Sequence, residues 1–197
     1  MAATKRYAQM EETRVKLIQA ARKAFATKGY AAASMDELTA EVGLTRGALY
    51  HIFGDKKGLL RAVADQIDAE MLARMRVAQD QAETLWLGFL AENIAYIEMA
   101  LEPEIQRIML LDGPAVLGDP AGWPNQTACL RRVTEIIQTL IDEGTLKPVD
   151  AESASLLLNG AALNASLRIA AADDPHAVFT KAVEVFNHLA SGLLQEK

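Results

Sequence analysis

Cysteine is almost absent from this sequence: among 197 residues, only Cys129 carries a thiol. A single thiol forms no internal disulfide and cannot build a cysteine-based metal cluster. No apolar run approaches the roughly 18–20 residues that span a bilayer, and the N-terminal MAATKRYAQMEETR lacks the apolar core of a signal peptide. We therefore expect a cytoplasmic protein with no membrane partner, no metal and no cofactor.

Catalytic patterns are equally sparse. The chain has three widely separated histidines, no glycine-rich phosphate loop and no metal-ligand spacing, whereas enzymes gather nucleophiles, bases or metal ligands in recognisable patterns. An all-α enzyme is the alternative from another class of function, and these absences argue against it. We expect no catalytic residues.

Signals for β-strands are also missing. The chain shows no sustained alternation of apolar and polar residues and few clusters of β-branched residues, which would indicate strands. Alanine, leucine, glutamate, glutamine and arginine dominate instead, and all five favour helices. The sequence therefore predicts an all-α protein of about nine helices.

Negative charge prevails over the whole chain, with a formal net charge of −6. The first 61 residues nevertheless hold eleven Lys and Arg against six Asp and Glu, and the remainder holds nine against twenty. A basic head on an acidic body suits a protein that turns one end towards a polyanion. Short basic N-termini are also common without such a partner, so charge alone leaves both interpretations open.

Capping residues place the ends of the helices. A first helix over about 11–28 ends at Gly29, a residue type typical of that position. Ser34 to Glu37 form a capping box, in which the Ser34 hydroxyl accepts a backbone N–H and Glu37 reaches back, and Gly43 ends the short helix that follows. Later helices are predicted over about 46–53, 56–78, 84–101, 104–111, 126–143, 151–172 and from 175 onwards, with an irregular stretch at 112–124.

Two short helices within Ser34 to Lys57 carry the functional prediction. A tight turn containing Gly43 joins them, which is the helix-turn-helix pattern. At about 100° per residue, Leu49 and Ile52 face one side of the second helix. The opposite side carries a polar arc of Arg46, Gly47, Tyr50 and His51. This is the arrangement of a recognition helix, whose apolar side packs inward while its polar arc faces a DNA major groove.

Each residue of the polar arc has a plausible role in DNA binding. Arg46 can donate two hydrogen bonds to guanine, Gly47 lets the backbone approach closely, and Tyr50 and His51 can contact phosphates or base edges. Helix N-termini favour phosphate, and four further candidates lie at such positions: Ser34, Thr45, Lys56 and Lys57. The alternative is a generic pair of short helices whose polar arc binds no DNA and only faces solvent.

The stretch from Gly29 to Val63 combines several features in a fixed order: a Gly-Tyr pair closing the first helix, a Ser cap, a Gly-hydrophobic-Thr turn, a Leu-Tyr pair, an aromatic residue ending the third helix and a Lys pair before the fourth. It resembles the N-terminal domain of the TetR/AcrR family of transcriptional regulators. The sequence departs from that family at Ala33, where Thr is frequent, and at Ile52, where His is common. Contacts from those two positions are not carried over.

The resemblance implies an N-terminal three-helix helix-turn-helix DNA-binding domain over 1–60 and a larger helical domain over 61–197 that binds a ligand and dimerises. It implies a homodimer on a double-stranded DNA operator, most often acting as a repressor, although an activator fits the sequence equally. A two-fold dimer places its recognition helices about one DNA turn, ~34 Å, or a multiple of it apart, so the operator should be palindromic.

The fifth predicted helix carries a stripe of large side chains interrupted by one amide. Trp86, Phe89, Asn93 and Tyr96 follow one another at helical spacing on one face. Such a set suits a mostly apolar pocket with an orienting polar group, while core packing is the competing explanation for each residue. Three residues complete the predicted site for a small-molecule effector: Met109, Trp123 and Asn164.

The last two predicted helices hold more apolar residues than one internal face requires. Two such helices from each subunit can pair across a two-fold axis as a four-helix bundle. The predicted interface consists of Leu157, Ala161, Ala165, Phe179, Val183, Phe186 and Ala190. A regulator without any ligand, its cavity filled by its own aromatic side chains, remains an alternative.

Overall fold

The computed structural model describes residues 2–196, so Met1 and Lys197 lie outside it. Over this range the chain forms nine α-helices, one π-helical segment and one 3₁₀ turn, and its single β contact is a bridge between Leu146 and Leu194. The predicted all-α fold is therefore confirmed. Among the described helices, none is long and apolar enough to cross a membrane.

The elements follow one another as α1 (Ala2–Lys28), α2 (Met35–Glu41), α3 (Arg46–Phe53), α4 (Lys56–Asp80), α5 (Leu85–Met99), the π-helical segment Ile105–Asp112, α6 (Gly113–Leu117), the 3₁₀ turn Pro120–Gly122, α7 (Pro124–Asp142), α8 (Ala151–Ala170) and α9 (Pro175–Ser191). The first helix begins well before its predicted start. The stretch predicted to be irregular contains α6 and the 3₁₀ turn, because its prolines begin helical turns, where the missing N–H costs nothing.

Two compact units make up the chain. The head comprises the residues up to Ile67 together with Arg107–Gly118, and the body comprises Asp68–Gln106 together with the residues from Asp119 onward. Helix α4 contributes residues to both. Arg107–Gly118 therefore packs with residues that lie far from it in sequence.

Local caps define the helix-turn-helix of the head. The Ser34 hydroxyl accepts the backbone N–H of Glu37 at 3.4 Å, and the Thr45 hydroxyl accepts that of Ala48 at 3.2 Å. Each cap thereby satisfies an N–H that has no partner within its helix. The predicted reach of Glu37 back to the cap is wrong, because its carboxylate pairs with Lys28 at 2.6 Å.

Leu49 fixes the orientation of α3 in the head. Its side chain is fully buried, and burying a leucine contributes about 1.5–3 kcal/mol. The other large buried side chains of the head include Leu17, Phe25, Leu38, Leu59 and Leu60. Turning α3 about its axis would expose Leu49, so the opposite side of the helix is held towards solvent.

A clamp formed by Arg107 and Asp112 holds the loop that follows α1. The Asp112 carboxylate accepts the backbone N–H of Tyr30 at 2.7 Å and the Arg107 Nε–H at 3.1 Å. Gly29 has a φ of 80°, which side chains other than glycine rarely adopt, and a Cβ there would overlap the Arg107 guanidinium. The backbone conformation of the loop therefore favours glycine, and a side chain at this position would also displace the Arg107 guanidinium.

A Gly29→Ala variant is expected to destabilise the protein more than Gly43→Ala does. Both substitutions place alanine at positive φ, which costs about 1–2 kcal/mol. Space around Gly43 is open, whereas a methyl group added at Gly29 displaces Arg107 from the clamp. Urea denaturation followed by circular dichroism measures the difference. Equal stability of the two variants would contradict the structural role of the clamp.

In the body, α8 packs against α5, α7 and α9. The largest buried side chains there include Phe89, Ile97, Ile137, Leu158 and Ile169. The Asp150 carboxylate caps α8 by accepting the Ser153 N–H at 2.8 Å, and Asp174 caps α9 in the same way through Ala177 at 3.0 Å. Both helices begin at their predicted first residues, 151 and 175.

Candidate DNA interface and candidate effector cavity

The polar arc of α3 is exposed. Arg46, Gly47, Tyr50 and His51 all reach solvent, while Leu49 on the opposite side is fully buried. The predicted division of α3 into a buried and an exposed side is therefore what the structure shows. A cluster of donors on an exposed helix is the geometry needed to enter a major groove.

Arg46 is held in place on α3 by two neighbours. Its guanidinium donates to the Tyr50 hydroxyl at 3.2 Å and pairs with Asp36 of α2 at 3.4 Å, and it lies 5.5 Å from the centroid of the Tyr50 ring. Sequence reasoning missed Asp36, because its pairing with Arg46 crosses from α2 to α3. Asp36 therefore helps to hold the Arg46 guanidinium on the exposed side of α3.

An Asp36→Asn variant should bind DNA with reduced discrimination. The substitution removes the carboxylate that orients Arg46, and the lost negative charge favours phosphate of any sequence. The Glu37→Gln control removes the same charge from α2 but leaves Arg46 paired. Fluorescence anisotropy with operator and unrelated duplexes should show a lower specificity ratio for Asp36→Asn only; equal ratios would refute the role assigned to Asp36.

The candidate phosphate contacts differ in how accessible their hydrogen-bond donors are. Lys57 is exposed, and the Ser34 and Thr45 hydroxyls accept cap hydrogen bonds and keep their own protons to donate. Lys56 is half-buried: its ammonium donates to the Ala31 carbonyl at 3.3 Å and lies 4.6 Å from the Tyr30 ring centroid. Its role in phosphate binding stays a prediction, and it also holds the loop after α1.

The aromatic stripe of α5 is mainly core. Phe89 is fully buried and stacks on Trp86 with ring centroids 5.7 Å apart, and Asn93 is buried with its amide donating to the Phe89 carbonyl at 2.8 Å. Packing within the body, the competing explanation, accounts for these three residues. None of them lines the cavity formed between α4, α5, α7 and α8.

A small cavity in the body brings together side chains from α4, α5, α7 and α8. Its lining residues are Asp68, Met71, Leu72, Met75, Tyr96, Gln126, Cys129 and Asn159. It has room for about one water molecule. Of its lining residues, only Tyr96 was predicted from the sequence. The missed signal is the pair of methionines on α4, four residues apart on one face.

The other predicted effector residues lie elsewhere. Trp123 is buried at the start of α7, and Met109 is buried in the head. Asn164 lies outside the cavity lining: it is exposed on α8, and its amide donates to the Gly160 carbonyl at 2.9 Å. It lies seven residues after Leu157 on the same helix and so shares that face.

A buried ion pair, not foreseen from the sequence, lies in the body near the cavity. Glu92 of α5 has no exposed surface, and its carboxylate accepts from Arg132 of α7 at 2.5 Å. Arg132 also donates to Gln79 at 2.7 Å. Burial raises the pKa of Glu92, and the hydrogen bond and charge of Arg132 oppose that shift. Burial likewise raises the pKa of the Cys129 thiol, which therefore favours its unreactive protonated form.

The Glu92 carboxyl should make stability depend on pH. Its pKa in the folded protein is raised above the ordinary value of 4.5, so the folded state binds the proton more tightly and is favoured at low pH. Urea titrations should show wild type losing stability relative to Glu92→Gln as pH rises from 4.5 through the folded-state pKa. If wild type instead gained stability relative to Glu92→Gln over that range, the pairing with Arg132 would outweigh burial, and the raised pKa of Glu92 would be contradicted.

Five of the seven residues predicted for the dimer interface are accessible to solvent. Leu157 is 72% exposed, and the side chains of Ala161, Ala165, Phe179 and Val183 are half-buried.

Two residues were assigned wrongly: Phe186 is 3% exposed and Ala190 is fully buried, so both belong to the core of the subunit. Further apolar side chains are exposed on the same two helices: Leu156, Leu167, Val185 and Leu189.

Two family profiles match the chain. The profile described as "Bacterial regulatory proteins, tetR family" matches residues 17–63, and that described as "Tetracyclin repressor-like, C-terminal domain" matches residues 86–193. Among solved structures, a TetR-family transcriptional regulator from Pectobacterium atrosepticum is 47% identical with a TM-score of 0.86, over 96% of this chain and 97% of that one.

Curated relatives are more distant. The Tn10 TetC protein from Escherichia coli is 29% identical over 154 residues, 73% of each chain. The transcriptional repressor AcnR from Corynebacterium glutamicum is 32% identical over 100 residues, which cover 51% of this chain and 52% of AcnR. The chain thus matches about half the length of that repressor.

An exposed polar arc on the second helix of a helix-turn-helix, in an otherwise helical protein, defines a helix-turn-helix transcriptional regulator. Both profiles and the match to the Pectobacterium structure extend this assignment over most of the chain. The chain belongs to the TetR family. Members of this family regulate transcription and are not enzymes, so the prediction that the chain is not an enzyme is confirmed.

Proposed function

We propose that this protein is a ligand-responsive repressor that binds a palindromic operator as a homodimer and is released by a small, mostly apolar effector. The observation that carries the proposal is the polar arc of α3, exposed opposite the fully buried Leu49. A repressor bound to bacterial DNA acts in the cytoplasm. AcnR, which is similar over about half its length, is named a transcriptional repressor.

The exposed apolar side chains of α8 and α9 support the homodimer. Leu157 is 72%, Val185 65% and Leu189 54% exposed. Apolar surface of this size on adjacent helices is favourable to cover, and a second copy related by a two-fold axis covers it with the same residues. Dimerisation also provides the second recognition helix that a palindromic operator requires.

Helix α4 supports the coupling between effector and DNA. Asp68, Met71, Leu72 and Met75 line the cavity from α4, and the same helix begins at Lys56, next to the candidate phosphate contacts. An effector that binds best when α4 is displaced shifts the population towards a form with poor operator affinity.

The test combines operator selection with effector titration. Duplexes selected from fragments of the source genome should bind the purified protein, and titration with cell extract fractions should release them in a fluorescence-anisotropy assay. Failure to bind any duplex in a sequence-dependent way would end the proposal. Release by a fraction cleared of small molecules would instead indicate a macromolecular effector.

A second candidate is a regulator with no small-molecule effector. The small volume of the cavity, with room for about one water molecule, favours it. Native mass spectrometry distinguishes the two, because an effector-responsive protein retains or takes up a small molecule in its body. Sequence-dependent DNA binding that no small-molecule fraction alters would support this candidate.

A further inference from the structure

Tyr30, in the loop after α1, lies against the first lysine of α4. The Lys56 ammonium is 4.6 Å from the centroid of the Tyr30 ring and donates to the Ala31 carbonyl at 3.3 Å. A ring face attracts a cation without neutralising its charge, and the same holds for an uncharged carbonyl oxygen. An ammonium has three N–H donors, so at least one of them is left for a further acceptor.

Lys56 is held in a different way from the other lysine near this loop. Lys28 pairs with the Glu37 carboxylate at 2.6 Å, whereas the contacts of Lys56 within the described part of the chain are with uncharged groups. The neighbouring carboxylate, that of Asp55, accepts the Gly58 N–H at 2.6 Å and thereby caps α4. Because ordering a flexible lysine costs conformational entropy, a lysine that is already held pays less of that cost when it binds a phosphate.

Asp112 holds the loop that carries Tyr30. Its carboxylate accepts the Tyr30 backbone N–H at 2.7 Å and pairs with Arg107 at 3.1 Å. Asp112 immediately precedes α6 but makes no side-chain cap for it, although an aspartate in that position commonly accepts an N–H of its own helix. The carboxylate therefore serves the loop instead of α6.

The π-helical geometry of Ile105–Asp112 makes this grip possible. In an α-helix, residues five apart are turned by about 140° relative to each other, so Arg107 and Asp112 would face different sides. A π-helix forms its hydrogen bonds from i to i+5, which brings these two residues to one side, and their side chains meet at 3.1 Å. Turns of π-helix are rare and occur frequently at functional sites.

We propose that Tyr30 and Asp112 are positioning residues for DNA binding. Asp112 holds the loop, and the Tyr30 ring and the carbonyl next to it hold the Lys56 ammonium where it meets a phosphate of the duplex. Neither residue contacts the DNA itself. This inference rests on the proposed function, since it states how one phosphate contact of the operator complex is prepared. It also makes DNA affinity depend on Ile105–Asp112, a segment outside the helix-turn-helix.

A mutant cycle between Tyr30 and Lys56 tests the proposal. Fluorescence anisotropy measures binding of the full chain to a duplex recovered by operator selection and to an unrelated duplex of the same length. Tyr30→Leu should weaken both by about two- to fivefold for each subunit bound, because fewer Lys56 ammonium groups are in place before binding. Tyr30→Phe keeps the ring and should bind like wild type. In Lys56→Met, which keeps an unbranched side chain without charge, Tyr30→Leu should have no further effect.

Lys57→Met provides the matched control, because Lys57 is the adjacent lysine and is exposed. Tyr30→Leu should weaken Lys57→Met by the same factor as it weakens wild type. Asp112→Ala is a second variant that leaves the ring in place. It should also lose affinity in the wild-type background and lose none in the Lys56→Met background.

Equal losses in the wild-type, Lys57→Met and Lys56→Met backgrounds would indicate a purely structural role and overturn the proposal. Tyr30→Phe binding as weakly as Tyr30→Leu, or an affinity that Lys56→Met leaves unchanged, would also overturn it. If Tyr30→Leu does not fold, Asp112→Ala in the same backgrounds decides.

The two duplexes separate failure of this proposal from failure of the proposed function. Absence of coupling to Lys56, with operator still preferred over the unrelated duplex, would remove the positioning role alone. Equal affinity of wild type for the two duplexes would remove the operator, while the cycle on either duplex would still decide the positioning role, because a phosphate contact carries no sequence information. A chain that binds neither duplex would overturn both.

Discussion

A Leu157→Glu variant is expected to be monomeric at concentrations where the wild-type chain is dimeric. Leu157 is 72% exposed on α8, and burying a leucine contributes about 1.5–3 kcal/mol. In a two-fold interface each substitution occurs twice. The dimer should therefore weaken by about 3–6 kcal/mol, or about 10²–10⁴-fold in dissociation constant, before the cost of burying two glutamates is included. Sedimentation velocity over a concentration series measures this constant.

The same variant should lose operator binding without any change in the head. A dimer binds both half-sites together, and the gain from a linked second contact reaches about 10²–10⁴-fold. Leu87→Glu is the matched control, because Leu87 is 46% exposed on α5, outside the predicted interface. A Leu157→Glu protein that remains dimeric, or that binds operator like Leu87→Glu, would remove α8 from the interface.

Arg46→Ala should weaken operator binding by about 1–3 kcal/mol for each half-site and relax the preference at one base pair of each half-site. The guanidinium is the one group on the polar arc that can donate two hydrogen bonds to a single guanine, and Tyr50 and Asp36 hold it on the exposed side of α3. Its loss should leave binding to unrelated duplexes much less affected.

Lys57→Ala serves as the comparison for Arg46→Ala. Lys57 is exposed at the start of α4, where a phosphate contact carries no sequence information. Its replacement should weaken all duplexes alike and lower the magnitude of the slope of log affinity against log salt by about one for each subunit bound. Anisotropy titrations at several salt concentrations separate the two effects, and if both variants behaved alike, Arg46 would not be reading a base.

The head was predictable from sequence because its signals are local. Thr45 and Gly54 bracket α3 closely in the chain, so the predicted range agrees with the observed Arg46–Phe53. The division of its two sides follows from helical periodicity and Leu49 alone. The pairing of Glu37 with Lys28 was missed, because it joins α2 to α1 rather than closing a local cap.

The cavity and the clamp could not be predicted in the same way. Apolar residues at helical spacing have the same pattern whether they face a core or a ligand, which is why Phe89 was assigned to the effector site. The cavity collects residues from four helices, and the Arg107–Asp112 clamp reaches Tyr30 across 82 positions in the chain. Phe186 was misassigned for a related reason. The sequence shows which faces of a helix are apolar, but it does not show whether a helix of the same subunit or of a second subunit covers each face.

Selection of bound DNA from a fully randomised duplex library tests the central claim most directly. A homodimer that reads DNA with two copies of α3 should enrich a palindrome whose half-sites are centred about 10 base pairs, or a multiple of that, apart. Arg46→Ala should enrich the same palindrome with one position degenerate in each half-site. Recovery of unrelated sequences, or of a single half-site without its inverted copy, would contradict the account.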